Sequence, residues 1–335
     1  MKRSITYLFF AAVFFSALGL CQAQNWDGTG DGVSFEDTNN WDDPAALFPG
    51  STRTIDGAFT VNRDVGVTIN RTFIRGGAVV NIASGSHTDG QSGASIFNFL
   101  GDTGAGTVNQ SGGDYNIGHG LRVGVGSSPD GTYNLTGGLL EIFRASNSKI
   151  EPTNPGGRPS LEVGDTTGTG LFEISGGALN TRAGVHIAPT GTFSVVGSAP
   201  TSIDIGPQNT GDGSWIQHGT LQVAVDAGGL TPIFVDDFDD VGGVVGEFKT
   251  GALIDVSFLG ATTHVPGTWT ALIIENTDII DGGLALTGTT DSNWTFDLDN
   301  SGNDGILTVT YVPEPAGLVM ITLAIPALLL RRRRS

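Results

Sequence analysis

Short alternations of apolar and polar residues, separated by Gly, Asn, Asp and Ser, run through most of the chain. The first of them lie at residues 54–56, 59–62, 65–70, 72–75 and 78–83. A period of two residues predicts strands that bury one face, and the Gly- and Asn-rich breaks predict tight turns. The pattern therefore predicts an all-β fold made of many short strands.

Four related blocks follow one another in the middle of the chain. Their shared, degenerate frame is a glycine, an apolar alternation, Ser or Thr with two glycines, and a further strand; the blocks start at Gly106, Gly131, Gly170 and Gly191. A second short strand ends at a small residue after each block, at 121–124, 161–164, 185–188 and 203–206. The starts are 25, 39 and 21 residues apart, and the longest interval contains the Pro-rich stretch 146–160. That stretch predicts an inserted surface loop.

A period of 20 to 25 residues with several strands per repeat is typical of a β-solenoid. One repeat cannot bury its own apolar face, so stacking is expected to align a column made of Val108, Tyr133, Phe172 and Phe193. The paired glycines at 112–113, 137–138 and 176–177 are expected at corners that need a positive φ. We therefore predict a right-handed β-solenoid over residues 54–206. A Greek-key sandwich is the alternative, which explains the short strands but not the recurring frame.

The frame is lost after Gly206, where longer strands are predicted at 219–226, 251–258, 268–275, 294–298 and 305–312. Residues 207–311 are accordingly expected to form a C-terminal β region, either sandwich-like or a solenoid cap. Before the repeats, residues 24–53 carry Trp26 and Trp41 around a Gly- and Asp-rich turn. These indoles are expected to cap the open end of the stack. The alternative is that Trp26, Trp41 and Trp215 stack on a glycan.

The N-terminus has the pattern of a secretory signal peptide at residues 1–23. Lys2 and Arg3 precede an apolar stretch at 5–20, and Ala23 is the small residue before a cut at Gln24. Cys21 raises the alternative of a lipoprotein, but Leu20 stands where a lipobox has a small residue. The exported chain would then have no cysteine and no disulfide.

The C-terminal residues 312–335 have the pattern of a membrane tether. Pro313, Glu314 and Pro315 precede an apolar run at 316–330, and the chain closes with four basic residues, Arg331, Arg332, Arg333 and Arg334. Fifteen apolar residues are fewer than the roughly 20 of a stable spanning helix, and the arginines are expected to stay cytoplasmic. A short hydrophobic anchor helix that acts as a temporary tether is predicted, with a permanent anchor as the alternative.

This tail resembles the PEP-CTERM sorting signal of Gram-negative and related bacteria. The resemblance implies recognition by an exosortase-type enzyme, cleavage near the Pro-Glu-Pro triplet, and delivery from an inner-membrane-tethered intermediate to the cell surface or extracellular matrix. The repeats in the middle of the chain also resemble PEP-CTERM-associated and autotransporter-type β-repeats. Together these resemblances imply a surface or matrix component associated with extracellular polysaccharide.

The net charge is −18, from 16 Lys and Arg against 34 Asp and Glu. Six of the basic residues but only one of the acidic ones lie in the two terminal segments, so the exported body is still more acidic. Such a charge repels nucleic acid and anionic membrane surfaces. No nucleic-acid partner is expected.

Candidate catalytic residues are few. The histidines are scattered, and the sequence has no HExxH, GxSxG or P-loop motif; they are His87, His119, His186, His218 and His264. A β-helix polysaccharide lyase or hydrolase would need carboxylates, or Asp with Lys or Arg, clustered on one face. No repeat carries paired acids at matching positions, so we predict a non-enzymatic protein, with such an enzyme as an alternative.

No cofactor is expected, although two acidic stretches are weak candidates for Ca²⁺. Asp297, Asp299 and Asp304 resemble the start of an EF-hand loop, but Thr308 stands where that loop has its closing acid. A turn rich in Asx residues is the simpler interpretation. The second stretch, 236–240, is expected to be a solvated loop. The expected function is an exported structural protein, with a carbohydrate-binding or adhesive module as the main alternative.

Overall fold

The computed structural model describes residues 23–43, 51–90, 97–126, 130–143, 159–206, 214–236, 246–260, 265–287 and 291–313. Most of the predicted signal peptide, the loop predicted at 146–160 up to residue 158, and the tail from Glu314 lie outside them. The described parts form strands and one short 3₁₀ helix, Thr38–Asn40. Across these parts, no helix has the length and apolar character needed to span a membrane.

The strands are short except where they pass through a corner. In chain order they are β1 (Ala23–Asn25), β2 (Thr52–Asp56), β3 (Thr60–Asn62), β4 (Thr68–Ile69), β5 (Arg71–Arg75), β6 (Ala78–Ile82), β7 (Ser86–Asp89), β8 (Phe97–Leu100), β9 (Gly106–Ile117), β10 (Gly120–Val123), β11 (Asp130–Ile142), β12 (Leu161–Val163), β13 (Thr169–Thr181), β14 (Val185–Ile187), β15 (Gly191–Val196), β16 (Pro200–Ile205), β17 (Trp215–Gln217), β18 (Thr220–Val225), β19 (Ile233–Val235), β20 (Gly246–Phe248), β21 (Leu253–Phe258), β22 (Gly267–Ile274), β23 (Ile279–Asp281), β24 (Ala285–Leu286), β25 (Trp294–Asp299) and β26 (Gly305–Tyr311).

These strands form three parallel stacks, which we name faces A, B and C. Face A is β1-β2-β5-β8-β10-β12-β14-β17-β20-β23. Face B runs from β3 and β6 through the first halves of β9, β11 and β13 to β15, β18, β21 and β24. Face C runs from β4 and β7 through the second halves of the same long strands to β16, β19 and β22. Successive strands of the chain visit the faces in turn, which is consistent with a parallel β-solenoid and not with an antiparallel Greek-key sandwich.

The predicted apolar column is confirmed by the strand register on face B. Val108 pairs with Tyr133, Tyr133 with Phe172, and Phe172 with Phe193. The rings of Tyr133 and Phe172 stack with centroids 5.3 Å apart, and those of Phe172 and Phe193 with centroids 5.2 Å apart. Burying such rings in a continuous column contributes both apolar area and ring stacking to stability.

The corner between faces B and C depends on both glycines of each pair, for two different reasons. The second glycine has a positive φ, as predicted, of 68°, 79° and 71° at Gly113, Gly138 and Gly177. The first glycine lies against the coil before it. A Cβ there would lie 2.3, 2.4 and 2.3 Å from the carbonyl oxygens of Ala83, Ser111 and Thr136, for Gly112, Gly137 and Gly176 respectively.

The structure corrects the expectation of a separate sandwich-like region at 207–311. Faces A and B continue in parallel through β17, β20 and β23 and through β18, β21 and β24. Only β25 and β26 are antiparallel, and they extend face C beyond β22. The repeat frame fades because the later coils build faces B and C from separate strands joined by loops, whereas β9, β11 and β13 bend through a Gly-Gly corner.

Aromatic rings fill the N-terminal end of the stack. Trp26 and Trp41 pack edge to face with centroids 5.1 Å apart, and Phe35 packs on Trp41 at 5.0 Å. The backbone N–H of Asn25 in β1 donates to Asp42 Oδ1 at 3.0 Å, and Asp42 N donates back to the Asn25 carbonyl at 3.1 Å. The returning segment therefore covers polar groups on the edge of the first strand.

The C-terminal end of face A is covered in a similar way by the turn between β25 and β26. The side-chain amide of Asn300 accepts from Ile279 N at 3.0 Å and donates to the Ile279 carbonyl at 3.0 Å. One amide thus satisfies both backbone groups of a residue on β23, the last strand of this face. Such cover protects an edge strand against pairing with another chain.

Candidate functional site

The three tryptophans for which glycan stacking was the alternative interpretation are buried. Trp26, Trp41 and Trp215 expose 4%, 2% and 0% of their surface. The Trp215 ring packs edge-on against Phe193, and its Nε1 donates to Gln217 Oε1 at 3.2 Å. Sugar stacking requires an open ring face, so the glycan-stacking interpretation of these residues is wrong for this conformation. Their alternating sequence context did not distinguish an inward ring from an outward one.

Two of the three acids proposed for Ca²⁺ accept hydrogen bonds from the backbone of different segments. Asp299 accepts from Ser301 N at 2.8 Å, and hydrogen bonds from the Ser301 side chain and backbone lower its pKa. Asp304 accepts from Asn276 N at 3.1 Å, while Asp297 pairs with Thr308 in the β25–β26 hairpin. In the described ranges, no group of three or more His, Cys, Asp or Glu side chains is placed to hold a metal ion. Residues 237–240 lie outside those ranges.

The histidines and the sorting-signal residues singled out in the sequence do not form one site within the described part of the chain. His87 and His119 are buried, His186 and His218 pack edge to face at 5.6 Å, and His264 lies outside the described residues. Of the sorting signal, Pro313 ends the described chain, while Glu314, Pro315, Arg331, Arg332, Arg333 and Arg334 lie beyond it.

Charged and aromatic side chains form a row on the outer surface of face A. The rings of Phe73 and Phe99 stack with centroids 5.3 Å apart, and the guanidinium of Arg122 lies 5.7 Å from the Phe99 ring. Arg122 Nε lies 2.8 Å from Glu162 Oε2, and Glu162 Oε1 lies 3.7 Å from His186 Nδ1. Burial raises the pKa of Glu162, but the hydrogen bond from His186 and the charge of Arg122 outweigh it, so the pKa is lowered. Glu162 is therefore held as a carboxylate by pairing between coils.

A second row, on the outer surface of face B, is a ladder of asparagines. Asn81 donates to Asn62 at 3.1 Å, Asn109 to Asn81 at 3.0 Å, and Asn134 to Asn109 at 2.8 Å. Each link joins one coil to the next through side-chain amides. This ladder ties the coils together outside the core, and stacked asparagines are a known stabilising feature of parallel sheets.

One cleft stands apart from these paired rows. It has a volume of about 300 Å³ and is lined by Asp226, Ala227, Gly228, Gly229, Phe258, Val265 and Trp269. Asp226 and Gly229 close a turn after β18 through two backbone hydrogen bonds of 3.0 and 3.1 Å. Phe258 ends β21, and its ring meets Trp269 of β22 at 5.9 Å and nearly at right angles. A cleft that is lined by two aromatic residues and one acidic residue has a composition that can hold a small ligand.

The sequence did not identify Trp269 as a site residue. It lies in an alternating run where a tryptophan reads as core, and a register shift between Thr270 and Leu272 interrupts that alternation in the structure. The cleft also requires the turn at Asp226 to meet Phe258 and Trp269, which lie 32 and 43 residues further along the chain. Nothing in the local sequence pattern indicates that these segments come together.

Comparison with protein-family models, with curated proteins and with solved structures finds no match for this chain. The resemblance of the tail to PEP-CTERM signals therefore stays a prediction made from its residues.

Proposed function

We propose that the chain is an exported, non-enzymatic structural protein of the cell surface or extracellular matrix, built as a right-handed β-solenoid rod. The observation that carries this proposal is the unbroken stack of face A, ten strands with cover at both ends. At about 4.8 Å per strand the stack is about 43 Å long. Backbone ladders, the column on face B and the asparagine ladder all run along its axis, as a rigid spacer requires.

The outer charges support a structural role. Arg75 pairs with Asp56 at 3.0 Å, Arg122 with Glu162 at 2.8 Å, and Lys249 contacts Glu247. A general acid needs a raised pKa and a free path to substrate, whereas Glu162 has a lowered pKa and paired oxygens.

Delivery rests on the resemblance of the tail. In this proposal an inner-membrane-tethered intermediate is cut by an exosortase-type enzyme near Pro313 and passed to the surface, where extracellular polysaccharide is its partner. The exposure of Val312, the residue after β26 and just before Pro313, supports this route, because an enzyme needs access to the bond that it cuts.

The test is to express the full chain in a bacterium that has an exosortase, and in the same strain with that enzyme deleted. We expect mass spectrometry to find a C-terminus near Pro313 only when the enzyme is present, with the protein in the surface or matrix fraction. An intact Arg331–Arg334 end in both strains would refute sorting. The chain would then be a membrane-tethered rod.

A second candidate function is binding of extracellular polysaccharide, as an adhesive module. The cleft at Trp269 favours it, because the cleft offers an accessible indole that the end caps do not.

A further inference from the structure

Trp269 differs from the other tryptophans of the chain, all of which lie in described residues. Trp26, Trp41, Trp215 and Trp294 are buried, with at most 4% of their surface exposed. Trp269 is only partly buried and lines the cleft together with Phe258. The two rings stand at 87° to each other, and both also pack on the buried Trp294, whose ring centroid lies 4.8 Å from that of Phe258 and 5.7 Å from that of Trp269. The faces of aromatic rings carry negative potential and attract cations.

Asp226, which lines the cleft, has a carboxylate that is fixed by hydrogen bonds. Asp226 accepts from Ser198 N at 2.9 Å, from Ser198 Oγ at 3.0 Å and from Gly228 N at 2.7 Å. The backbone hydrogen bond from Ser198 is the main cause that lowers the pKa of Asp226. The carboxylate therefore stays charged at neutral pH, and its position is set before any ligand arrives.

The charges around the cleft favour a positively charged ligand over a negatively charged one. Its described lining contains one acid and no Lys, Arg or His, in a chain with net charge −18. An anionic group would meet Asp226 and the field of the whole chain, with no cation in the described lining to compensate. A cation gains from the charge of Asp226 and from the part of the Trp269 ring that lines the cleft.

The size limits what enters. A volume of about 300 Å³ is at the low end of the range for small-molecule sites, so a single headgroup or sugar unit fits better than a long stretch of polymer. Val265 on the rim is 57% exposed. The open rim leaves room for the rest of a chain to continue into solvent.

We propose that the cleft formed by Trp269, Phe258 and Asp226 binds an organic ammonium group, such as the protonated amine of an amino-sugar unit. This inference rests on the proposed function, since it names the chemistry by which the rod recognises a polymer of its matrix. The same ammonium chemistry occurs in free amines, and the test separates the two sources.

The test uses the full chain purified in a non-ionic polyoxyethylene detergent. The probes are a glucosamine hexamer with free amines, its fully N-acetylated counterpart, a galacturonate hexamer, and tetramethylammonium. Binding is followed by calorimetry and by protection of tryptophan fluorescence from acrylamide, which in this chain reports mainly on Trp269. We expect the amine hexamer to bind at least about tenfold more tightly than the acetylated one, and the galacturonate hexamer not to bind.

Two variants and two controls locate the site. Trp269→Ala removes the indole and Asp226→Asn the charge, and each is expected to weaken amine binding about tenfold. Asp204→Asn removes the same charge from the outer surface of face C, and Phe99→Ala removes a partly exposed ring from face A; both should leave binding unchanged. Thermal melts of all four show whether the fold is kept, and Trp269→Phe, which keeps a ring, should retain part of the affinity.

The outcomes separate this inference from the proposed function. Affinity for tetramethylammonium within about threefold of that for the hexamer assigns the site to a free amine, and a much lower one assigns it to the sugar polymer. Equal binding of the acetylated hexamer, no binding of either amine probe, or an unaffected Trp269→Ala variant overturns the inference. If C-terminal processing persists in that case, the proposed structural function stands and only the ligand assignment of the cleft fails. If processing is absent but the amine still binds, the ligand assignment stands and the proposed sorting fails.

Discussion

The interior of the early coils, before residue 97, contains buried charged side chains among its apolar residues, whereas the described later coils bury apolar side chains and a few polar ones. Three charged side chains are buried among the described residues, Arg53, Arg63 and Asp89, and all lie before residue 97. In the register of face C, Asp89 pairs with Ile117, Ile117 with Ile142, and Ile142 with Thr181. One carboxylate thus stands where the next two coils carry isoleucine.

Asp89 collects donors from three different coil segments. Arg63 Nη2 donates to its Oδ1 at 2.7 Å, while Tyr115 OH and Asn98 Nδ2 donate to its Oδ2 at 2.7 and 3.1 Å, and Thr72 Oγ1 also donates to Oδ2. Burial alone would lower the pKa of Arg63, but Asp89 and Tyr115 outweigh it and raise the pKa. Burial, with Asp89 beside it, raises the pKa of Tyr115.

The comparison teaches that one backbone stack can be filled in two ways. Apolar columns need only volume and register, so they tolerate drift of the repeat frame after residue 206. A buried polar network needs every partner, because an unpaired group inside the stack costs its full desolvation. The early coils should therefore be the more specific part of the stack and the more sensitive to single changes.

The largest effect is expected from Asp89→Ala. It leaves the Arg63 charge buried without its carboxylate and removes the acceptor of three neutral donors, so we expect a loss of about 3 to 5 kcal/mol in the free energy of unfolding. Denaturant titration measures it. Asp204→Ala, an outward acid on face C, is the control and should change stability by less than about 0.5 kcal/mol.

A matched double variant shows whether the charge or the packing dominates. Asp89→Ile with Arg63→Met copies the later coils and removes both charges, so it should recover about 2 kcal/mol relative to Asp89→Ala. If Asp89→Ala alone costs under about 1 kcal/mol, the network does not hold the early coils and the comparison fails.

The next effect comes from the apolar interior. Leu221 is fully buried and lies between Phe193 and Ile254 in the column on face B. Leu221→Ala should cost about 3 kcal/mol through lost burial and the cavity left behind. Its outward neighbour Thr220→Ala should cost less than about 0.5 kcal/mol. Similar losses for the two variants would mean that the later coils are not held by their core.

The sequence predicted the apolar column of the stack but not the buried polar network of the early coils. The column at Tyr133 and Phe172 and the corner at Gly138 could be predicted, because a repeat aligns equivalent positions without knowledge of the rest of the fold. Asp89 could not, since an acid before a glycine reads as a turn residue and its partner Arg63 lies 26 residues away. Polar contacts between coils need the register of both coils, which alternation alone does not supply.

The continuation of the stack after residue 206 was missed for a related reason. The frame depended on a Gly-Gly corner inside one long strand, as in β13, and β15 with β16 replaces it by two strands and a turn. The stack of coils therefore continues, although the Gly-Gly pattern that identified it in the sequence is absent. Trp269 is the corresponding case for the candidate site, because it lines the cleft together with the turn at Asp226, which is far away in sequence.

A smaller effect is expected at glycines with a positive φ, which differ in how closely the neighbouring coil approaches them. Gly138 has a φ of 79°, and a Cβ there would lie 2.2 Å from the Gly113 carbonyl oxygen. Gly251, in a later coil, has a φ of 92° but nothing within 4 Å of such a Cβ. Gly138→Ala should therefore cost about 2 kcal/mol or more, and Gly251→Ala about 1 kcal/mol, the part due to φ alone. Equal costs at both sites would show that contact between coils adds nothing at the Gly-Gly corner.

The smallest effect is expected on the outer surface, where Glu162 joins Arg122 and His186 between coils. Because its pKa in the folded chain is lowered below the ordinary value of 4.5, the carboxylate stabilises the fold above that pH, and the contribution is lost as the pH falls through the folded pKa. Glu162→Gln should reduce the free energy of unfolding by less than about 1 kcal/mol at pH 7, since partly exposed pairs are weak. Unfolding measured from pH 7 to pH 3 should show the gap between the two proteins closing below about pH 4.5, where the carboxyl becomes neutral like the amide. A stability difference that stays constant down to pH 3 would assign the loss to packing instead of charge. The outer row would then be held by packing, as the interior of the later coils is.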